Sequence, residues 1–312
     1  MKKETTVHMI GQAHLDPVWL WRWIEGRAEA LATSKSAADR LDEYPQFEYT
    51  RGEAIIYKWI QEEDPELFKR IQSYIKAGRW HVVNGMLVQP DMNLPCGEAF
   101  VRQIMSGKKY MSRQLGVDTK TAYCVDSFGH AATLPMIFKK SGFENYVFMR
   151  PKENEKSLPQ VFNWQAPNGS SVITFRIDES YETRYVETLN HILSSVSAKP
   201  KELNHTMCFF GVGNHGGGPT KAQIEYLVKL VEEHKDINIV FSSVDKYFAG
   251  ILSDVDKLQT IKSELQMHAI GCYTANSALK KAYRKAENNL VLADRIIAMS
   301  DYLTSVPARK DE

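Results

Sequence analysis

No stretch of this sequence approaches eighteen consecutive apolar residues, so a conventional membrane-spanning helix is not expected. The opening MKKETTVHMIGQAH starts charged but has no apolar run of the kind an export signal needs, and secretion is not expected either. Cysteine is scarce: Cys96, Cys124, Cys208 and Cys272 lie far apart, form no CxxC and imply no disulfide framework. The expected compartment is therefore the reducing cytosol. An excess of one charge is also missing, since 39 Lys and Arg face 38 Asp and Glu. A net charge of +1 leaves no basic field for nucleic acid or anionic lipid, so neither is an expected partner. The glycine-rich turn GVGNHGGGP lacks GK[ST] and is not read as a Walker-type phosphate loop. What is present is ordinary globular material: 312 residues, 43% hydrophobic and 25% charged, enough for a sizeable core.

Strand and helix signals alternate along the chain. Apolar, β-branched or aromatic runs predict strands near 7–10, 47–50, 80–85, 121–125, 146–149, 172–175, 207–210 and 237–241. Helical periodicity fills 27–41, 53–77 (interrupted near Pro65), 97–115, 134–141, 187–196, 221–234 and 244–252. The strands are too apolar to have a wet face, which argues for a parallel sheet covered by helices. Seven or eight such units fit a (β/α) barrel better than an open sheet. From Asn276 onward one long amphipathic helix has no following strand, and the change of organisation is placed near residue 258.

In parallel α/β folds, functional groups gather at the C-terminal ends of the strands. Here those ends carry His14 and Asp16, Asp91, Asp126 with His130, Arg150, and Asn214 with His215. A His and an Asp two residues apart on extended backbone point the same way, and the nitrogen–oxygen pair suits zinc better than calcium or magnesium. Trp19, Trp21 and Trp23 follow at once, three of the six tryptophans in the chain. Such faces suit the apolar C–H side of a sugar ring, although buried tryptophans and a capping Asp would read the same way. Asp126 follows an apolar strand directly and is either a helix N-cap or a catalytic carboxylate. His130 reads as a supporting histidine, and Arg150 and Asp91 as either site residues or salt-bridge partners. His215 sits where glycines let backbone approach a ligand. His81 and His268 read as structural.

The runs GQAHLDPVWLW, VVNGMLVQPDMNLPCGE and YCVDSFGHAATLPMIFKKSGFENYVFMRP resemble glycoside hydrolase family 38, the zinc-dependent retaining α-mannosidases. The later CYTANSALKKAYRKAENNLVLAD resembles that family's entry into a central helical domain, and GVGNHGGGPTK its bacterial and cytosolic branch. The resemblance spans almost the whole chain in the right order. It implies a seven-stranded (β/α) barrel over 1–258, with 259–312 beginning a helical bundle. It implies an α-mannoside or mannose-containing oligosaccharide as substrate and a two-step displacement on Asp126. His14, Asp16 and Asp126 would be zinc ligands, Trp19 would stack under the sugar, and Asp91 and Arg150 would line the pocket; His215 is expected to contact substrate on the strength of its glycine-rich turn.

The family's fourth zinc ligand lies beyond the barrel, and no equivalent follows Asn276 here; His215 does not occupy that position. The implied general acid/base falls among Asp178, Glu179 and Glu182, with no basis for choosing. A chain with three ligands is expected to hold zinc weakly and to hydrolyse little alone, and its last helix to pair with another copy. Two further readings stand beside this one. A zinc carbohydrate deacetylase would need an H-x3-H pair that the chain lacks, and a non-catalytic sugar- or metal-binding module would show no turnover.

Overall fold

Strand faces alternate between two different cores in the computed structural model, which describes residues 5–304 apart from positions 214, 267 and 275. The strands are β1 (Thr6–Gln12), β2 (Tyr49–Arg51), β3 (Trp80–Val82), β4 (Thr121–Cys124), β5 (Asn145–Phe148), β6 (Val161–Gln165), β7 (Ser171–Arg176), β8 (His205–Phe210), β9 (Asn238–Phe241) and β10 (Thr260–Ile261). Ile10, Tyr123, Val147, Phe175, Met207 and Phe209 meet in one cluster drawn from both sheets. Their neighbours Met9, Cys208 and Phe210 face a second cluster, and Ala122, Cys124, Tyr146 and Phe148 a third. Strands buried on both faces explain why the apolar runs are nearly continuous.

The described strands form two five-stranded sheets, not the expected closed seven-stranded barrel. One runs β3-β2-β1-β8, with β9 also paired to β1; the other runs β10-β6-β7-β5-β4. Every pairing is parallel except the β6–β7 hairpin, whose first strand is not among the strands that the sequence predicts. β3 and β4 share no strand ladder among the described residues. Asn84 N–H, donating to Thr121 O at 2.9 Å, crosses there instead. Gly11 is required by the close approach of β1 to its neighbours: a Cβ there would lie 2.7 Å from the Phe47 ring and 2.9 Å from Glu48 O.

The helix expected over 53–77 is two, Ala54–Glu63 and Pro65–Lys76. Asp64 separates them and caps the second, accepting from Leu67 N–H at 3.0 Å, with Pro65 at the first helical position. Glu53, expected to be the first helical residue, instead has φ +61°. The chain divides into two units after His268, ten residues later than the spacing suggested. Pairing of β10 with β6, and the mutual backbone bonds of His130 and Leu265 (2.8 and 2.9 Å), hold this stretch with the sheets. The second unit contains helix Ser277–Thr304. Among the described residues no helix is long and apolar enough to cross a membrane.

Two buried histidines should make this fold acid-sensitive. His8 on β1 lies 2.7 Å from Ser242 Oγ through Nδ1 and 2.9 Å from His205 Nδ1 through Nε2. Burial, then the neighbouring His205 and Lys246, pushes its pKa down to about 4. Burial pushes His130 down to about 3. Both folded values lie below the unfolded value, so the unfolded chain binds more protons and stability falls with pH. The loss begins below about 6.5 and levels off near 4 for His8 and near 3 for His130. Within that window each histidine costs about 1.4 kcal/mol per pH unit. Urea midpoints at pH 7.5, 5.5 and 4.5 should fall steadily, and less steeply in His8→Asn. An unchanged midpoint across this range would contradict the assignment.

Candidate active site

Ala13 and His14 follow directly on the C-terminal end of β1, Val125 and Asp126 on that of β4, and Met149 and Arg150 on that of β5. These ends bring His14, Asp16 and Asp126 together, with one donor atom from each lying within 4.8 Å of the others. His14 Nε2 is 3.4 Å from Asp16 Oδ1 and 3.7 Å from Asp126 Oδ2. The imidazole is buried, and neither of its ring nitrogens has a hydrogen-bond partner. An orphaned buried imidazole is costly and calls for a partner. One imidazole and two carboxylates form a donor set that accepts zinc, so the residues present fit the expected cation.

Asp126 has two engagements. Its Oδ2 faces His14, while Oδ1 forms an ion pair with the Arg150 guanidinium. That guanidinium lies over the Phe128 ring, 5.3 Å from its centroid. Burial pulls the Arg150 pKa down, opposed by Tyr181, Glu155 and Glu182. The Arg150 carbonyl accepts from His130 Nε2 at 2.8 Å, and Tyr146 OH donates to His130 Nδ1 at 2.7 Å. His130 thus supports Arg150 from below, with its neutral tautomer set by these two bonds.

The other predicted residues are arranged less simply. Trp19 is 56% exposed and packs edge-on to Trp21. His215, with φ +67°, lies against both rings at 5.1 and 4.7 Å between centroids and is not among the three clustered donors. Trp21 Nε1 donates to Asp16 O at 3.0 Å, which fixes the turn after the His-x-Asp pair. Asn214 lies outside the described residues. Asp91 Oδ1 accepts from Asn93 and Leu94 N–H, each at 2.8 Å, shaping its own loop. Ser127 Oγ donates to Pro90 O at 3.1 Å and brings that loop beside Asp126.

The three candidate acids separate clearly. Asp178 and Glu179 both meet the Ser194 hydroxyl on helix Thr188–Ala198, Glu179 at 2.8 Å. Glu182 instead lies against Gly213 beyond β8, where an added Cβ would fall 1.8 Å from its Oε2. It also acts electrostatically on Arg150 and on Tyr181, whose ring is 5.1 Å from that of His14. Sequence reasoning missed Tyr181 and Gln12. Gln12 Nε2 donates to Tyr181 O at 2.6 Å, tying the β7 loop to β1.

Residues 4–265 match the N-terminal domain of glycosyl hydrolases family 38. The chain belongs to that family. Among curated family relatives, it is 30% identical over 295 residues to alpha-mannosidase G of Dictyostelium discoideum, covering 93% of this chain and 27% of that one. It is 29% identical over 296 residues to human alpha-mannosidase 2C1, covering 93% and 28%. The chain therefore spans little more than a quarter of the length of these family members. The fold matches the crystal structure of an alpha-mannosidase from Enterococcus faecalis V583 with TM-score 0.75 at 17% identity, over 84% of this chain and 31% of that one.

Proposed function

We propose that this chain carries the catalytic centre of a zinc-dependent retaining α-mannosidase acting on α-mannosides or mannose-containing oligosaccharides in the cytosol. The observation that carries the reading is buried His14, with both nitrogens unpartnered, facing the carboxylates of Asp16 and Asp126. His14, Asp16 and Asp126 would hold the zinc. When bound, the metal supplies positive charge that keeps adjacent carboxylates ionised and can fix sugar hydroxyls. Cytosolic placement is supported by the four free cysteines.

Asp126 is the nucleophile of the proposal. Its carboxylate, turned by Arg150, attacks the anomeric carbon while the bond to the leaving oxygen breaks. Glu182 is the acid that gives that oxygen its proton. In the second step Glu182 takes a proton from water, and the water oxygen displaces Asp126 from the anomeric carbon. Two inversions leave the α configuration. Glu182 is chosen over Asp178 and Glu179 because it acts electrostatically on Arg150, the ion-pair partner of Asp126, and on Tyr181 beside His14. Among the described residues, the clustered donors include a single histidine, which gives the deacetylase reading no support.

The test is hydrolysis of aryl α-mannosides, with the first product followed by proton NMR. The expected early product is the α anomer. Glu182→Gln should slow substrates with poor leaving groups at least about tenfold more than those with good ones. Early β product, or equal loss across leaving groups, would overturn this assignment.

A further inference from the structure

Arg51 and Glu53 are charged residues buried to 1% and 2% exposure, two positions apart at the end of β2. Burying a full charge is costly unless it is paired and hydrogen-bonded. Glu53 also holds φ +61°, which a residue with a side chain rarely adopts. Strain and buried charge at one point imply that the surroundings fix this geometry.

The partners of these side chains are specific. Arg51 Nη1 donates to Ala13 O at 2.8 Å. Glu53 Oε1 accepts from Gln89 Nε2, and Gln89 Oε1 accepts from Val125 N–H at 3.1 Å. Ala13 immediately precedes His14, and Val125 immediately precedes Asp126. Both lie one residue past the end of their strands, where the ladders of β1 and β4 no longer orient the backbone. The Arg51–Glu53 pair, which interacts electrostatically, therefore reaches both arms of the donor cluster from a third strand.

We propose that Arg51, Glu53 and Gln89 form a buried positioning network that sets the separation of His14 and Asp126. The inference rests on the metal and nucleophile reading above. None of the three touches the donor cluster through its own side chain in the contacts described, so these are positioning residues. Their effect runs through the backbone of positions 13 and 125. A carboxylate–amide–amide relay has a consequence that simple packing lacks: its polarity can be exchanged. With Gln at 53 and Glu at 89, the amide donates to the new carboxylate, whose second oxygen still accepts from Val125 N–H. The negative charge also stays near Arg51.

The experiment compares the full chain with Gln89→Leu, Glu53→Gln, Gln89→Glu and the double exchange Glu53→Gln/Gln89→Glu. Zinc affinity is read by competition with a chromophoric chelator, and amide exchange by NMR at Val125. Gln89→Leu should weaken zinc about 10- to 100-fold, as for other outer-shell ligand supports. It should speed Val125 exchange about tenfold while the amides of β4 keep their protection. The double exchange should recover both properties to within about threefold of wild type, where each single exchange fails. Unchanged affinity and unchanged Val125 exchange in Gln89→Leu would overturn the inference. So would a loss spread over all core amides with no recovery in the double exchange. If the wild-type chain takes up no zinc, the metal reading fails, and Val125 exchange with its recovery still decides the network.

Discussion

Asp126→Ala is expected to reduce turnover of an aryl α-mannoside by at least about 10⁴-fold, since it removes the proposed nucleophile. The same change takes away one of three clustered donors and leaves the half-buried Arg150 guanidinium without its carboxylate. Asp126→Asn separates these effects, because an amide keeps the shape and an oxygen facing His14 but is a very poor nucleophile. Turnover in Asp126→Asn should fall nearly as far as in the alanine variant, with fold stability close to wild type. A slow fluorinated mannoside should leave its mass on the peptide containing residues 123–130 in the wild type, and on no peptide of Asp126→Asn. Label recovered on a different carboxylate would remove Asp126 from the nucleophile's role.

His14→Ala is expected to weaken zinc by at least about 100-fold, more than changes behind the ligands usually do. Both ring nitrogens of buried His14 lack a hydrogen-bond partner among the described residues, so the metal is the group that would satisfy the one facing the carboxylates. Adding zinc at about 100 times its dissociation constant should stabilise the wild type by about 2.7 kcal/mol. Melting temperature should rise accordingly in the wild type and stay flat in His14→Ala. The metal-free variant should lose little, since the substitution also removes two unsatisfied buried nitrogens. Equal stabilisation of both proteins by zinc would place the metal elsewhere.

The donor cluster was legible because strand ends are legible: an apolar run stopping at His14 or Asp126 announces both where the residue sits and which way it faces. The family motifs then gave those residues roles that spacing alone left open. Sheet closure was not legible, because a strand of three residues such as β2 or β3 carries too little pattern to fix its partner. The β6 strand escaped for a related reason, lying in a hairpin where parallel units were expected. Choosing Glu182 over Asp178 and Glu179 needed its placement near Arg150 and Tyr181, which the spacing of the three acids does not carry. Glu53 reads as a helix start, and neither Arg51 nor Gln89 stands out in the sequence. Only their placement against Ala13 and Val125 gives them a common purpose.

The pairing of β1 also sets a schedule for making this protein. Thr6 lies beside both His205 and Asn238, so β1 cannot complete its sheet until about two hundred further residues have been synthesised. At typical elongation rates that wait is roughly 10–50 s. Throughout it, the apolar segment TVHMIGQ has no ladder partner on either of those sides. His14 and Asp16, carried at the end of that segment, can meet Asp126 early, yet their strand is locked in place only after β8 and β9 have emerged. A nascent chain stalled before residue 205 should therefore hold an open β1 edge. Chaperones that capture unpaired apolar strands should bind it there.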